Sequence, residues 1–97
     1  MWVLQHAETG VEPVIFRVTP GAVKTIGRAS EADLTLDAAL VSRVHCRLEA
    51  GVDTIAVVDL ESTNGTYIND ARVERGTVAD GDRLRVGRVE LTVKRFD

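Results

Sequence analysis

Three fragments of the sequence, Gly27-Arg28, Ser42-Arg43-Val44-His45 and Ser62-Thr63-Asn64-Gly65-Thr66, carry arginines, hydroxyls and a side-chain amide on what read as loops between short strands. That inventory suits holding a phosphate rather than running a reaction. A phosphate monoester carries roughly −1.5 to −2 charges at neutral pH and three strong acceptor oxygens, so its receptor needs convergent donors and little acid/base machinery. Catalytic groups are correspondingly scarce. Ser42 and His45 are separated by a spacing that puts them on opposite faces of a strand, and no glycine-flanked nucleophile elbow occurs. One cysteine and 2 histidines make no zinc set, and no glycine-rich nucleotide loop is present. Neither a metal nor a cofactor is expected, and the chain does not read as an enzyme.

The elements that must position these fragments are strands. With 97 residues the chain is one domain's worth, read as a single unit over 1–97 with one modest core. Hydrophobic residues make up 44% but aromatics only 4%, so Val, Leu and Ile must fill the interior, and these favour pleated surfaces. Turn punctuation at Thr9-Gly10, Pro20-Gly21, Gly51, Asn64-Gly65, Asn69-Asp70, Asp80-Gly81-Asp82 and Gly87-Arg88 predicts an all-β sandwich or barrel. Strands are predicted at 14–18, 23–26, 34–36, 44–50, 55–59, 66–68, 84–86 and 89–93. In the fourth, Val44, Cys46, Leu48 and Ala50 alternate with Arg43, His45, Arg47 and Glu49, which puts His45 on the polar face. Gly87-Arg88 is a two-residue turn pairing the last two strands.

Parity follows from the strand count. Ser42 and residues 60–65 are separated by two strands and so emerge at one end of the sandwich. Alternation puts Arg28 at the other end, within reach across the short 34–36 strand, about 10 Å at roughly 3.3 Å per residue.

Charge and composition exclude several classes. The net charge is −3, and the arginines of the C-terminal quarter are interleaved with Glu74, Asp80, Asp82 and Glu90, so a nucleic-acid partner is not expected. Cys46, the only cysteine, reads as a small core hydrophobe and suits a cytoplasmic address. Neither a signal-peptide pattern nor a membrane-length apolar run is present, and no membrane association is expected.

In order and at ordinary spacing, Gly27-Arg28, Ser42-Arg43-x-His45, Asp59-Leu60-x-Ser62-x-Asn64-Gly65-Thr66, Asn69 and Gly81-Asp82 resemble the forkhead-associated (FHA) domain, over a core of about 26–93. The resemblance implies a β-sandwich of two twisted, mostly antiparallel sheets. It implies loops at one end that bind a phosphothreonine-containing peptide in Ser/Thr kinase signalling, by a domain that is monomeric on its own. By that similarity Arg28 grips phosphate oxygens with its guanidinium fork, Ser42 donates its hydroxyl, and Thr63 sits beside it. Asn64 bonds the peptide backbone, and Arg43 approaches the phosphate or peptide. Gly27, His45, Gly65 and Asn69 are supporting residues, His45 by orienting the loops through hydrogen bonds.

Each residue also has a bland reading. Arg28 alone is a solvated loop arginine, Ser42 and Thr63 are common turn builders, and Asn64-Gly65 is a tight-turn signature. The chain departs from the family pattern at Asp70 and Glu61, where glycine or a small residue is usual, and Glu61 adds a negative charge near the site. Leu40 lies near where the family reads the third residue after the phosphothreonine. The alternative function is an interaction domain of the same shape that binds its partner without phosphate.

Overall fold

The computed structural model describes residues 1–6 and 14–97, so the turn read at Thr9-Gly10 lies outside the described residues. Eleven strands and no helix occur among the described residues: β1 (Trp2–His6), β2 (Val14–Val18), β3 (Val23–Gly27), β4 (Leu34–Thr35), β5 (Cys46–Ala50), β6 (Ile55–Asp59), β7 (Thr66–Ile68), β8 (Ala71–Val73), β9 (Arg75–Val78), β10 (Arg83–Val86) and β11 (Val89–Arg95). They form two sheets, ordered β2-β1-β11-β10-β7-β8 and β4-β3-β5-β6-β9. The all-β expectation holds.

Period-2 patterning drives the sandwich. Leu91 and Val93 of β11, Leu84 and Val86 of β10, and Trp2 and Leu4 of β1 are fully buried, while Arg83, Arg85, Thr92 and Gln5 alternate with them outward. From the facing sheet come Ile26, Cys46, Leu48, Ile55, Val57 and Val78. Each such aliphatic side chain contributes about 1.5–3 kcal/mol by leaving water. The Cys46 thiol, buried among them, is pushed up to about 12, mainly by burial and further by the Asp59 charge, with a Thr66 hydrogen bond partly opposing. It is therefore an inert core group.

Three strands were not read from the sequence. β1 lies between β2 and β11, and its Trp2 indole N–H donates to the Gly51 carbonyl at 2.8 Å. β8 and β9 are the outer strands of the two sheets, where few side chains are buried and the alternation signal is weak.

The parity argument fails at β4. This strand runs parallel to β3, pairing Ile26 with Leu34 and Gly27 with Thr35, whereas β3 and β5 are antiparallel, with Ile26 opposite Cys46. Residues 28–33 are thus a short excursion that returns beside the end of β3, and Arg28 shares an end with Ser42. The Cys46–Asp59 pair of β5 and β6 brings residues 60–65 to that end, and the Thr66–Val86 pair of β7 and β10 brings the Gly87-Arg88 turn.

Candidate functional site

Gly27 is where the rim begins. A Cβ built on it would lie 2.0 Å from the Arg43 carbonyl oxygen, so only glycine lets β3 run this close to residues 42–44. The approach lets the Arg28 N–H donate to the Ser42 carbonyl at 2.9 Å and the Ala29 N–H to the Arg43 carbonyl at 3.1 Å. Ser42 is therefore fixed beside Arg28. Its Oγ accepts the Thr63 N–H at 3.2 Å, which leaves the hydroxyl proton for an outside acceptor. Asn64 Nδ2 donates to the Leu40 carbonyl at 3.0 Å, which leaves Oδ1 and the second amide proton for a ligand. Leu40 presents that carbonyl from a left-handed conformation, φ 72°. The exposed Arg28 guanidinium has no hydrogen bond or ion pair with any described residue.

Beneath the rim His45 ties these loops together. The alternation read from the sequence put it on the polar face, but the ladder of β5 begins only at Cys46; His45 is fully buried and its neighbour Val44 is 40% exposed. The ring is turned inward by its bonds. The Ser42 N–H donates to Nδ1 at 3.0 Å, so Nδ1 is the acceptor and Nε2 carries the proton, which goes to the Gly65 carbonyl at 2.8 Å. Its backbone adds the His45 N–H to Ile26 and the Leu60 N–H to His45, at 2.8 and 2.9 Å.

Asp59 organises the neighbouring loop. Its Oδ1 accepts the Ser62 hydroxyl at 2.6 Å and the Thr66 hydroxyl at 2.7 Å, Oδ2 accepts the Ser62 N–H at 3.2 Å, and Ser62 Oγ in turn accepts the Gly65 N–H at 3.0 Å. Burial raises the Asp59 pKa, but the Ser62 and Thr66 hydrogen bonds and nearby His45 outweigh it, leaving the carboxyl below its usual range. A depressed folded-state pKa contributes stability above the unfolded value and loses it as pH falls through the folded one. The melting temperature is therefore expected to fall as pH drops below about 4, and Asp59→Asn should flatten that dependence while lowering stability at pH 7. Differential scanning calorimetry across pH 2.5–7 checks both; an unchanged acid limb in the variant would exclude Asp59 as its source.

The other sequence-read residues are placed differently. Arg43 turns outward and donates to Glu31 at 2.9 Å. Arg28, Ala29, Ser30, Glu31 and Arg43 line one hollow; Ser30 and Glu31 were not singled out in the sequence, since nothing in their local pattern marks them. Glu61 lines a separate hollow with Asp59, Arg72 and Glu74. Asn69 lies at the far end of β7 from the rim, where its Oδ1 accepts the Arg83 N–H at 2.9 Å and its Nδ2 donates to Asp82 at 3.2 Å. Asn69 and Asp70 form the β7–β8 turn at φ 47° and 72°, and the Asp70 carboxylate accepts from Arg83 at 2.8 Å. Gly65, at φ 91°, takes a conformation that strains other residues. Its carbonyl also accepts the Gly87 N–H at 3.2 Å, which seats the β10–β11 turn on the rim.

The sequence model of the FHA domain family matches residues 24–87, a span that contains Arg28, Ser42, His45, Thr63 and Asn64. The chain belongs to the FHA domain family. It is similar to the glycogen accumulation regulator GarA of Mycobacterium tuberculosis, 36% identical over 70 residues that cover 72% of this chain and 43% of GarA. The chain thus spans under half the length of that relative. Among solved FHA structures it is similar to the FhaA FHA domain complexed with the intracellular domain of Rv3910, at 32% identity and TM-score 0.83, covering 97% of this chain and all of that one. It is also similar to the yeast Dun1 FHA domain in complex with a doubly phosphorylated (pT) peptide derived from Rad53, at 28% identity and TM-score 0.78, covering 96% of this chain and 72% of that one.

Proposed function

We propose that this FHA domain is a non-catalytic module that binds phosphothreonine-containing segments of partner proteins inside the cell. One observation carries the reading. Arg28, Ser42, Thr63 and Asn64, scattered along the sequence, are locked onto one rim by direct bonds between their own segments, with the Arg28 guanidinium, the Ser42 hydroxyl proton, and the Oδ1 and second amide proton of Asn64 still unspent. In this reading Arg28 forks onto the phosphate oxygens, the Ser42 hydroxyl and the Thr63 side chain complete the cradle, and Asn64 fixes the peptide backbone. Gly27, His45 and Gly65 hold those donors in place. The complexes of the FhaA domain with the intracellular domain of Rv3910 and of the Dun1 domain with a doubly phosphorylated (pT) peptide support the assignment. The free, buried Cys46 agrees with a reducing compartment.

The test is a titration with degenerate heptapeptide pools carrying phosphothreonine, phosphoserine or threonine at the centre. Binding is expected for the phosphothreonine pool, with a best member near −7 to −9 kcal/mol, roughly micromolar. Arg28→Ala should weaken it by about 2–4 kcal/mol, because it removes charge-assisted bonds to a partly desolvated dianion. Equal binding of the threonine pool would establish a phosphate-independent interaction domain instead.

A further inference from the structure

Arginines that are interleaved with acids along the C-terminal sequence are separated from them by the sheet. Partners on adjacent antiparallel strands share a face, so the registers of β1, β2 and β11 set Arg17 and Lys94 on either side of Val3, on the side of the six-stranded sheet turned away from the core. The next rows repeat the charge. Arg83 stands opposite Thr92, and Arg85 stands between Glu90 and Tyr67, with Arg72 beyond the ring. These rows carry Arg17, Lys94, Arg83, Arg85 and Arg72 against the single carboxylate of Glu90, on a chain whose net charge is −3. The other acids of the segment lie elsewhere. Asp80 and Asp82 sit in the turn between β9 and β10, where they accept the Arg95 and Ala79 N–H groups, and Glu74 lines a hollow with Glu61. Asp70, from the β7–β8 turn, reaches Arg83 at 2.8 Å, but Arg17, Lys94 and Arg72 are exposed and have no ion pair with any described residue.

We propose that this face is a second docking surface, independent of phosphate, for an acidic polypeptide segment of a partner protein. All of its cations but Lys94 are arginines, whose planar forks take carboxylates two-pronged, and neighbours such as Arg83 and Arg85 recur at about 6.6 Å, the spacing of alternate carboxylates on an extended chain. The face is also long enough. Its six strands span about 24 Å at roughly 4.8 Å per gap, the length of about eight extended residues. Nucleic acid fits less well. Its stacking platforms need bare aromatic faces, whereas the Arg85 guanidinium lies 3.8 Å from the Tyr67 ring centre and covers that face, and a net charge of −3 opposes a long polyanion. The surface borders the phosphate rim, because the Arg72 guanidinium lies beside Gly65, where a built Cβ would meet its Nε at 2.8 Å. A partner carrying both a phosphothreonine and an acidic stretch would therefore engage the two sites together.

The experiment titrates the domain with a phosphate-free peptide of alternating glutamate and serine, about eight residues long, and follows the backbone amide shifts. Binding is expected to shift amides of β1, β10 and β11, to leave those of Ser42, Thr63 and Asn64 in place, and to weaken steeply between about 0.05 and 0.5 M salt. Arg17→Glu combined with Lys94→Glu should weaken it about tenfold or more, since exposed attractions become repulsions at two places. Both side chains are exposed, so the variant is expected to fold, and a thermal melt checks it. Shifts confined to the rim, or an affinity that the double variant retains, would overturn the proposal. Tighter binding of a deoxythymidine oligonucleotide of equal charge, or of phosphatidylserine vesicles, would overturn the choice of partner. The phosphothreonine reading stands or falls separately, by its own titration.

Discussion

Gly27→Ala is expected to cost about 4 kcal/mol or more of folding stability, measured as a shift of the urea unfolding midpoint, because the added methyl meets backbone rather than a side chain that can turn aside. The nearest atoms to its Cβ are the Arg43 carbonyl oxygen at 2.0 Å, the Arg43 carbonyl carbon at 2.8 Å and Val44 Cα at 2.9 Å. Relief requires β3 to separate from residues 43–44. That movement breaks the bonds from Arg28 N–H to Ser42 and from Ala29 N–H to Arg43, and strains the His45 N–H bond to Ile26. Overpacking into side chains costs typically 1–3 kcal/mol, and losing backbone pairing adds to it, so the total sits in the range reserved for named structural lesions. Gly21→Ala is the control. Its Cβ would meet nothing within 4 Å, so only its φ of 92° is penalised, at roughly 1 kcal/mol. Should the two variants lose equal stability, close approach at Gly27 is not what fixes that position.

The same residue shows what the sequence carries and what it does not. Strands with one buried face and one wet face are legible, as in β6 and β11, because burial imposes period 2 on the residue types. The outer strands β8 and β9 escape that logic, since Arg72, Glu74 and Arg75 can stay in water while the backbone pairs. The direction of β4 was also out of reach. Two residues of strand contain no signal of parallel or antiparallel pairing, yet that direction decides which end Arg28 occupies. The rim residues could be named from their motif, but their juxtaposition depends on bonds between distant segments, such as Ser42 Oγ with Thr63 N–H. Glu31 is the sharpest case: nothing in Ala-Ser-Glu-Ala announces a carboxylate set against Arg43.

His45 was legible as a support and misread in its surroundings, and its replacement is the second large effect expected. Loss of the ring leaves the Ser42 N–H without its partner, at about 1–3 kcal/mol, strips the buried Gly65 carbonyl of one of its two donors, the Gly87 N–H being the other, and opens a void where the fully buried ring stood. His45→Ala should therefore lose about 3–5 kcal/mol of stability. His45→Phe separates the contributions, because it restores volume but neither bond. If hydrogen bonding dominates, the phenylalanine variant recovers less than half of the alanine loss, and amide exchange accelerates at Ser42, which loses its acceptor, and at Gly87, whose acceptor Gly65 is held less firmly. Where both variants still fold, phosphothreonine pools should bind them about tenfold or more weakly, since the loop bearing Ser42 and the loop bearing Thr63 and Asn64 lose their common anchor. Full recovery by phenylalanine, in stability and in peptide affinity alike, would reduce the His45 ring to a space-filler and shift the organising of the rim from below to the Asp59 network and the backbone bonds of residue 45.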